Sequence, residues 1–486
     1  QLVILIYYSV ATMKRVLVYT AAAVATLLVG TGCEGDFIEK SPELQVSEQA
    51  VFENADRLSA AVEGVYARAK NGYFLGGFVT DAGDNRSDDM CNYGNNGYTM
   101  RDTYNHAVNA SCIENDYMFN NAYLGINYAN TLIDGIEGTY ADALPCDAAT
   151  AKKYVQELKF VRAVSYFFLS QLFGQPYAYD PNAKNVPLRV KAVTGAGENE
   201  CPAATISEVF KQILADTEDV SALPAGFGAD GFDATKASQA SAHALRMRVY
   251  MCMNDWQNAI NEGKQITGFS LIPSIATMFD MPYALTEENI FSIPMSDSDK
   301  SGSQSHPVGF VYHGAGQITC VNTINGIQTV YGVAEDARSG FIYSDAKGYT
   351  YCEKFNEYST RLEWIPIFRY AEILLNLAEC YYKAGDEATA LSYLKQVRTR
   401  SIPEASDKLV TYKESGAALW TAIDNERRWE FLGEGMRGYD ISRRAEDYRH
   451  PLTDGGWEVV ATAADHTTYC WAFPLYETTV NTALNN

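Results

Sequence analysis

Apolar positions recur at helical spacing through most of the chain. Leu58, Val62 and Val65 mark a first amphipathic stretch, because residues three and four apart share one helix face. The same spacing predicts helices over 117–136 and 154–173. The second ends at Gln175-Pro176, since proline cannot continue the hydrogen-bond ladder. One further helix is predicted over 206–220 and two over 237–266, and helical spacing returns over 364–400 and 419–444. Two stretches lack the period. Residues 73–105 are rich in Gly, Asp, Asn and Tyr, and residues 292–350 in Ser, Gly and Thr. Both read as loops, the second with a few short strands. The tail after Pro451 reads as irregular. The prediction is a mostly α fold, with helical repeats near 117–175, 206–267 and 364–444 and a loop-rich part near 73–105 and 292–350.

Two helix pairs look like one repeated unit. Leu377-Ala378, Tyr381, Ala390 and Leu394 follow the tetratricopeptide pattern of small and bulky positions. Tyr250 and Ala259 recur at the same separation, with Arg246 where leucine is expected. The turns match in kind: Asn254-Asp255 against Gly385-Asp386. Asn or Gly suits the left-handed position after a helix, and Asp caps the next one. Around residue 374 two apolar stripes run side by side, Phe368, Ala371, Leu375, Ala378, Tyr382 and Tyr370, Leu374, Leu377, Tyr381. Burial on two sides is what a stacked repeat requires.

The amino terminus reads as an address. Met13-Lys14-Arg15 is basic, Val16 to Gly30 apolar, and Gly30-Thr31-Gly32-Cys33 small. That order predicts a signal peptide over 1–32, with residues 1–12 a mis-called start and the mature domain spanning 33–486. Cys33 stands where a bacterial lipoprotein carries its acyl chains, although Gly30 replaces the preferred leucine. Lipid on Cys33 would anchor the protein with no spanning helix. No later segment reaches the roughly 18 apolar residues that a span needs.

The net charge of −22 over 486 residues argues against nucleic acid as a partner. Setting Cys33 aside leaves nine of the ten cysteines, with no CxxC, so neither a zinc ribbon nor a redox motif is indicated and pairing stays open. Six histidines form no HExxH, and neither GxxxxGK[ST] nor GxSxG occurs. No cofactor or metal is called for. Glu430 and Glu434 lie one turn apart, as a carboxylate pair would. Arg427, Arg428 and Arg437 nearby instead suggest local ion pairing, as do Arg369 and Glu372. Arginines lower a carboxylate pKa, where an acid catalyst needs it raised.

Several motifs in order resemble the SusD/RagB family. They are Glu157 to Ala163 with Tyr166-Phe167 and Phe173-Gly174, then Trp364 to Glu379 (WIPIFRYAEILLNLAE) and Leu394 to Arg398. Ile423 to Arg428, Phe431, Glu434-Gly435, Arg437 and Asp440 follow, with a looser match at Phe473-Pro474. The resemblance implies a lipid-anchored protein on the outer face of the outer membrane, not an enzyme. Such a protein binds a nutrient, most simply an oligosaccharide, and passes it to a SusC-like TonB-dependent transporter. Three alternatives stay open: peptide binding by the same mechanism, a non-catalytic tetratricopeptide scaffold, and an extracellular glycoside hydrolase. Ligand contacts are expected in the two loop-rich stretches, where exposed aromatics stand beside polar groups. The candidates are Asn85, Arg86, Tyr93 and Tyr98 in the first, and Tyr312, His313 and Tyr331 in the second.

Overall fold

The computed structural model describes residues 48–94, 97–279, 285–300, 302, 307–314, 318–320, 336–346, 349–402, 414–452 and 456–485. Cys33, Tyr331 and the whole of 1–32 lie outside them, as does the side chain of His313. The described residues are mostly helical, and their strands are few and short.

The helices pack in chain order as a continuous stack. It begins with α1 (Ala55–Ala69). The buried helix α2 (Phe78–Asn85) comes next in the chain and packs elsewhere. The stack continues with α3 (Ile113–Asp134) and α4 (Ala148–Phe173). Helix α4 is led by Asp147, which caps the Thr150 N–H. Helix α5 (Ile206–Asp216) follows behind a Thr205–Glu208 capping box, then α6 (Gln239–Cys252) and α7 (Trp256–Gln265). The unit repeats in α8 (Tyr370–Lys383) and α9 (Glu387–Ser401), and α10 (Gly416–Phe431) packs on both. Helix α11 (Met436–Arg443) turns back onto α2.

The two repeated pairs have the turns that their sequences predict. Asn254 and Gly385 both take positive φ, 58° and 87°. Asp255 and Asp386 then accept the Asn258 and Thr389 N–H groups. Ala259, Ala378 and Ala390 are completely buried, so the paired helices close on small side chains. Helix α8 is buried on two sides: Ile373, Leu377 and Cys380 join the main core, while Ala371, Leu374, Leu375 and Ala378 form a second one with α9 and α10.

Short antiparallel pairs complete the fold. They are β1 (Met90–Asn92) with β5 (Ile318–Cys320) and β2 (Lys184–Pro187) with β3 (Ala203–Thr205). Strand β4 (Asn289–Ile293) pairs with β8 (Ile365–Arg369), β6 (Ile342–Ser344) with β7 (Thr350–Cys352), and β9 (Tyr448–Pro451) with β10 (Trp457–Ala461).

Three local expectations are corrected. Residues 364–369 are not helical: Pro366 denies the ladder a donor, and Ile365–Arg369 is a strand against Asn289–Ile293. Residues 73–105 are not all loop, because α2 lies in their middle with every residue buried. Its polar sequence is tolerated through long-range partners, and Gly83 lets its backbone touch that of Gly435 and Gly438. The tail is not irregular either. It holds β10, which pairs with β9 just before it, and its last segment is woven into the first half of the fold. Trp471 and Leu475 donate to the Leu172 and Ala110 carbonyls, and Asn481 pairs with the Cys201 backbone. The eight cysteines whose side chains are described are free thiols.

Candidate functional site

The charged carboxy-terminal signature folds inward. Arg369 sits among Glu288, Glu430 and Glu434. Arg338 joins Asp336, Glu426 and Glu430, and Arg400 joins Glu288 and Glu430. Burial alone would raise the Glu430 pKa, but Arg400, Arg369 and Arg338 together hold it well below the usual range. A carboxylate so held has no proton to give at neutral pH. The expected local pairing is also corrected. Glu372 bonds Arg248 on α6, Arg427 bonds Asp440, and Arg428 and Arg437 reach Asp89 and Asp88. Apart from Arg427–Asp440, these pairs bind distant segments, so the signature is a structural fastening of the second half to the first.

The surface candidates lie elsewhere, around β1. Asn92 at its end donates to Asn85 and to the Thr99 carbonyl, and its Oδ1 accepts the Gly94 N–H. Arg101 adds a bond to the Asn92 carbonyl. One buried amide thus holds both Gly94 and Thr99, and beside them stand Tyr93 and Tyr98, 54% and 42% exposed. Tyr98 receives a hydrogen bond from Tyr117 on α3, which pushes the Tyr117 hydroxyl up to about 12. Tyr117 in turn packs on Tyr73, with ring centroids 4.3 Å apart.

The β6–β7 hairpin borders the same surface, since β7 runs beside β5. Its Tyr349 meets Tyr93 at 5.2 Å. Tyr343, 45% exposed, faces Tyr351 with ring centroids 6.3 Å apart and planes 28° from parallel. Asp345 accepts the Tyr349 N–H at 2.9 Å and the Tyr351 hydroxyl at 3.4 Å. The result is an aromatic surface on two anchored turns, with hydroxyl and carboxylate groups among the rings.

Of the sequence candidates, Tyr93 and Tyr98 come together on this surface. Asn85, Arg86 and Tyr312 do not reach it, because all three are interior. Asn85 bonds the Asp81 carbonyl and Asn92. Arg86, 2% exposed, donates to the Gln171 and Tyr469 carbonyls and lies over the Tyr448 ring. Tyr312 donates to Asp84 at 2.5 Å. Tyr117, Tyr343, Tyr349 and Tyr351 escaped the sequence reading. Tyr117 is hidden in a helical pattern. The others sit in FIYSDAKGYTYC, whose alternation around Ser-Asp-Ala-Lys-Gly is a hairpin signal.

Comparison with known proteins places this architecture. A SusD family model matches residues 288–483, and a model described as starch-binding, associating with the outer membrane, matches 36–251. A SusD superfamily protein from Bacteroides fragilis is 39% identical, with a TM-score of 0.82 over 90% of this chain and 100% of its own. A SusD-like protein of Formosa agariphila is 21% identical over 479 residues, 85% of this chain and 86% of that protein. A laminarin-binding SusD-like protein shares the fold at 19% identity and a TM-score of 0.69, over 88% of this chain and 98% of its own. The chain belongs to the SusD/RagB family.

Proposed function

We propose that the protein captures a neutral glycan at the cell surface and delivers it to a SusC-like TonB-dependent transporter. The tyrosine surface built by the exposed Tyr93, Tyr98 and Tyr343 and the half-buried Tyr349 carries this reading. Aromatic faces stack on the apolar faces of sugar rings, while hydroxyl and carboxylate groups bond sugar hydroxyls. The net charge of −22 disfavours polyanionic glycans. The starch-binding description of the family and the laminarin-binding relative support the ligand class. Capture and delivery need no bond to break, and the buried Glu430 is held in ion pairs. Among the described residues no helix is long and apolar enough to cross a membrane. Attachment through acylated Cys33 suits the role, and it places the protein on the outer membrane facing outward.

Calorimetry with starch and laminarin oligosaccharides tests the ligand class, with binding to at least one series and no release of reducing sugar expected. Peptide binding without saccharide binding would overturn it in favour of the peptide alternative. Gentle detergent extraction and pull-down should recover a large TonB-dependent protein. Recovery of a lone monomer, with the transporter demonstrably expressed, would argue against the delivery step.

A further inference from the structure

The turn that follows Tyr98 carries a cluster that the glycan reading does not use. Asp102 lies in the short helix Arg101–Tyr104, Cys112 immediately precedes α3, and Glu114 is in its first turn. One ligand atom from each lies within 4.8 Å of the other two. Cys112 Sγ is 3.5 Å from Asp102 Oδ2. Glu114 is 0% exposed, and neither of its carboxylate oxygens meets a hydrogen-bond partner. Burial opposes its charge, and the N–H groups of Glu114 itself, Asp102 and Thr103 lie near enough to favour it without reaching bonding geometry. Among the described residues no lysine or arginine pairs with Asp102 or Glu114. A buried carboxylate beside a second carboxylate requires a proton or a cation.

We propose that Asp102, Cys112 and Glu114 bind one divalent transition-metal ion, with zinc the expected species. A thiolate with two carboxylates suits zinc, whereas calcium and magnesium take oxygen ligands alone. Three protein ligands leave a fourth position for water. Binding releases to solvent the Cys112 proton and the proton that the carboxylate pair holds in the metal-free site, so affinity rises with pH until these groups are ionised. The ion supplies the positive charge that the site lacks and ties the 101–104 turn to the start of α3. Positions 102, 112 and 114 match no familiar ligand spacing, which is why motif reading passes over them.

The test uses the mature chain stripped with chelator, and metal alone as probe. Equilibrium dialysis should show one tight equivalent of zinc, bound at least tenfold more weakly by Cys112→Ser and by Glu114→Gln. Cobalt on the unaltered chain should give a thiolate-to-metal charge-transfer band, a readout that does not depend on any variant folding. Equal zinc uptake by all three chains, or a cobalt spectrum without that band, would overturn the site. Neither readout involves saccharide, so the result is separate from the glycan proposal.

Discussion

Gly83 and Gly435 meet backbone to backbone: a Cβ on Gly83 would stand 2.0 Å from the Gly435 carbonyl oxygen. From the next turn, a Cβ on Gly438 would stand 2.1 Å from the Gly83 carbonyl oxygen. Neither neighbour is a flexible side chain, so a methyl group forces α2 and α11 apart. Gly83→Ala is expected to lose about 1–3 kcal/mol in denaturant unfolding, the range of overpacked cores. Gly64 in α1 has nothing within 4 Å of its Cβ position, and Gly64→Ala should be neutral or gain about 0.5–1 kcal/mol. Equal effects at the two positions would refute the close approach.

Tyr312 reaches Asp84 across 228 positions of sequence. Burial pushes the Asp84 carboxyl up, while the Tyr312 bond pulls it partly back. Tyr312→Phe keeps the ring and removes only the donor. The expected cost is about 1–3 kcal/mol of stability, the penalty for an unsatisfied buried acceptor. Saccharide affinity should stay within a factor of two. A large affinity loss with unchanged stability would return Tyr312 to the ligand surface.

Tyr93 and Tyr98 should behave oppositely. Both rings are substantially exposed, and their removal opens no core cavity. Each change to Ala is expected to weaken binding of a proven saccharide by about 1–3 kcal/mol, as for other stacked anchors, with the melting temperature shifted little. Unchanged affinity in both variants would move the site away from β1.

Glu363 offers a pH signature. It is buried, its Oε1 lacks a partner, and it packs on the backbone of Gly309. Burial is the main cause that pushes its pKa from 4.5 to about 7, with Glu357 adding to it and the backbone N–H groups of Glu363 and Glu357 opposing. A raised carboxyl contributes its stability fully below pH 4.5 and loses it as the pH rises through about 7. Glu363→Gln should therefore be more stable than the parent at pH 8, by on the order of 2–3 kcal/mol. That gain should be gone at pH 4. The same difference at both pH values would show that Glu363 is ordinarily ionised.

The local grammar of the chain was legible, and the tertiary part was not. Asn254, Gly385, Ala378 and Ala390 announce their roles because turns and close-packed helices constrain neighbours in sequence. Helix α2 reads as a loop because Asp84 and Asn85 look like surface residues until Tyr312 and Asn92 are seen beside them. Glu372 suggests Arg369 three positions away, yet bonds Arg248 at a separation of 124. The candidate site divides along the same line. Tyr93 and Tyr98 were found through loop composition, whereas Tyr117 and Tyr349 join them only through the folding of α3 and the β6–β7 hairpin.

The weaving of residues 471–481 into the first half sets the timing of folding. The Leu172 and Ala110 carbonyls and both polar groups of the Cys201 backbone wait for partners that are synthesised roughly 280–365 residues later. The early helices can collapse beforehand, but their final ladder closes only when almost the whole chain has emerged. Such long loop closure slows folding and prolongs exposure of apolar surface. The native state is therefore reached only after nearly the whole chain is available. Arrested chains ending near residue 465 should remain sensitive to protease across 105–201 while full-length chains resist. Equal resistance would show that the first half closes on its own.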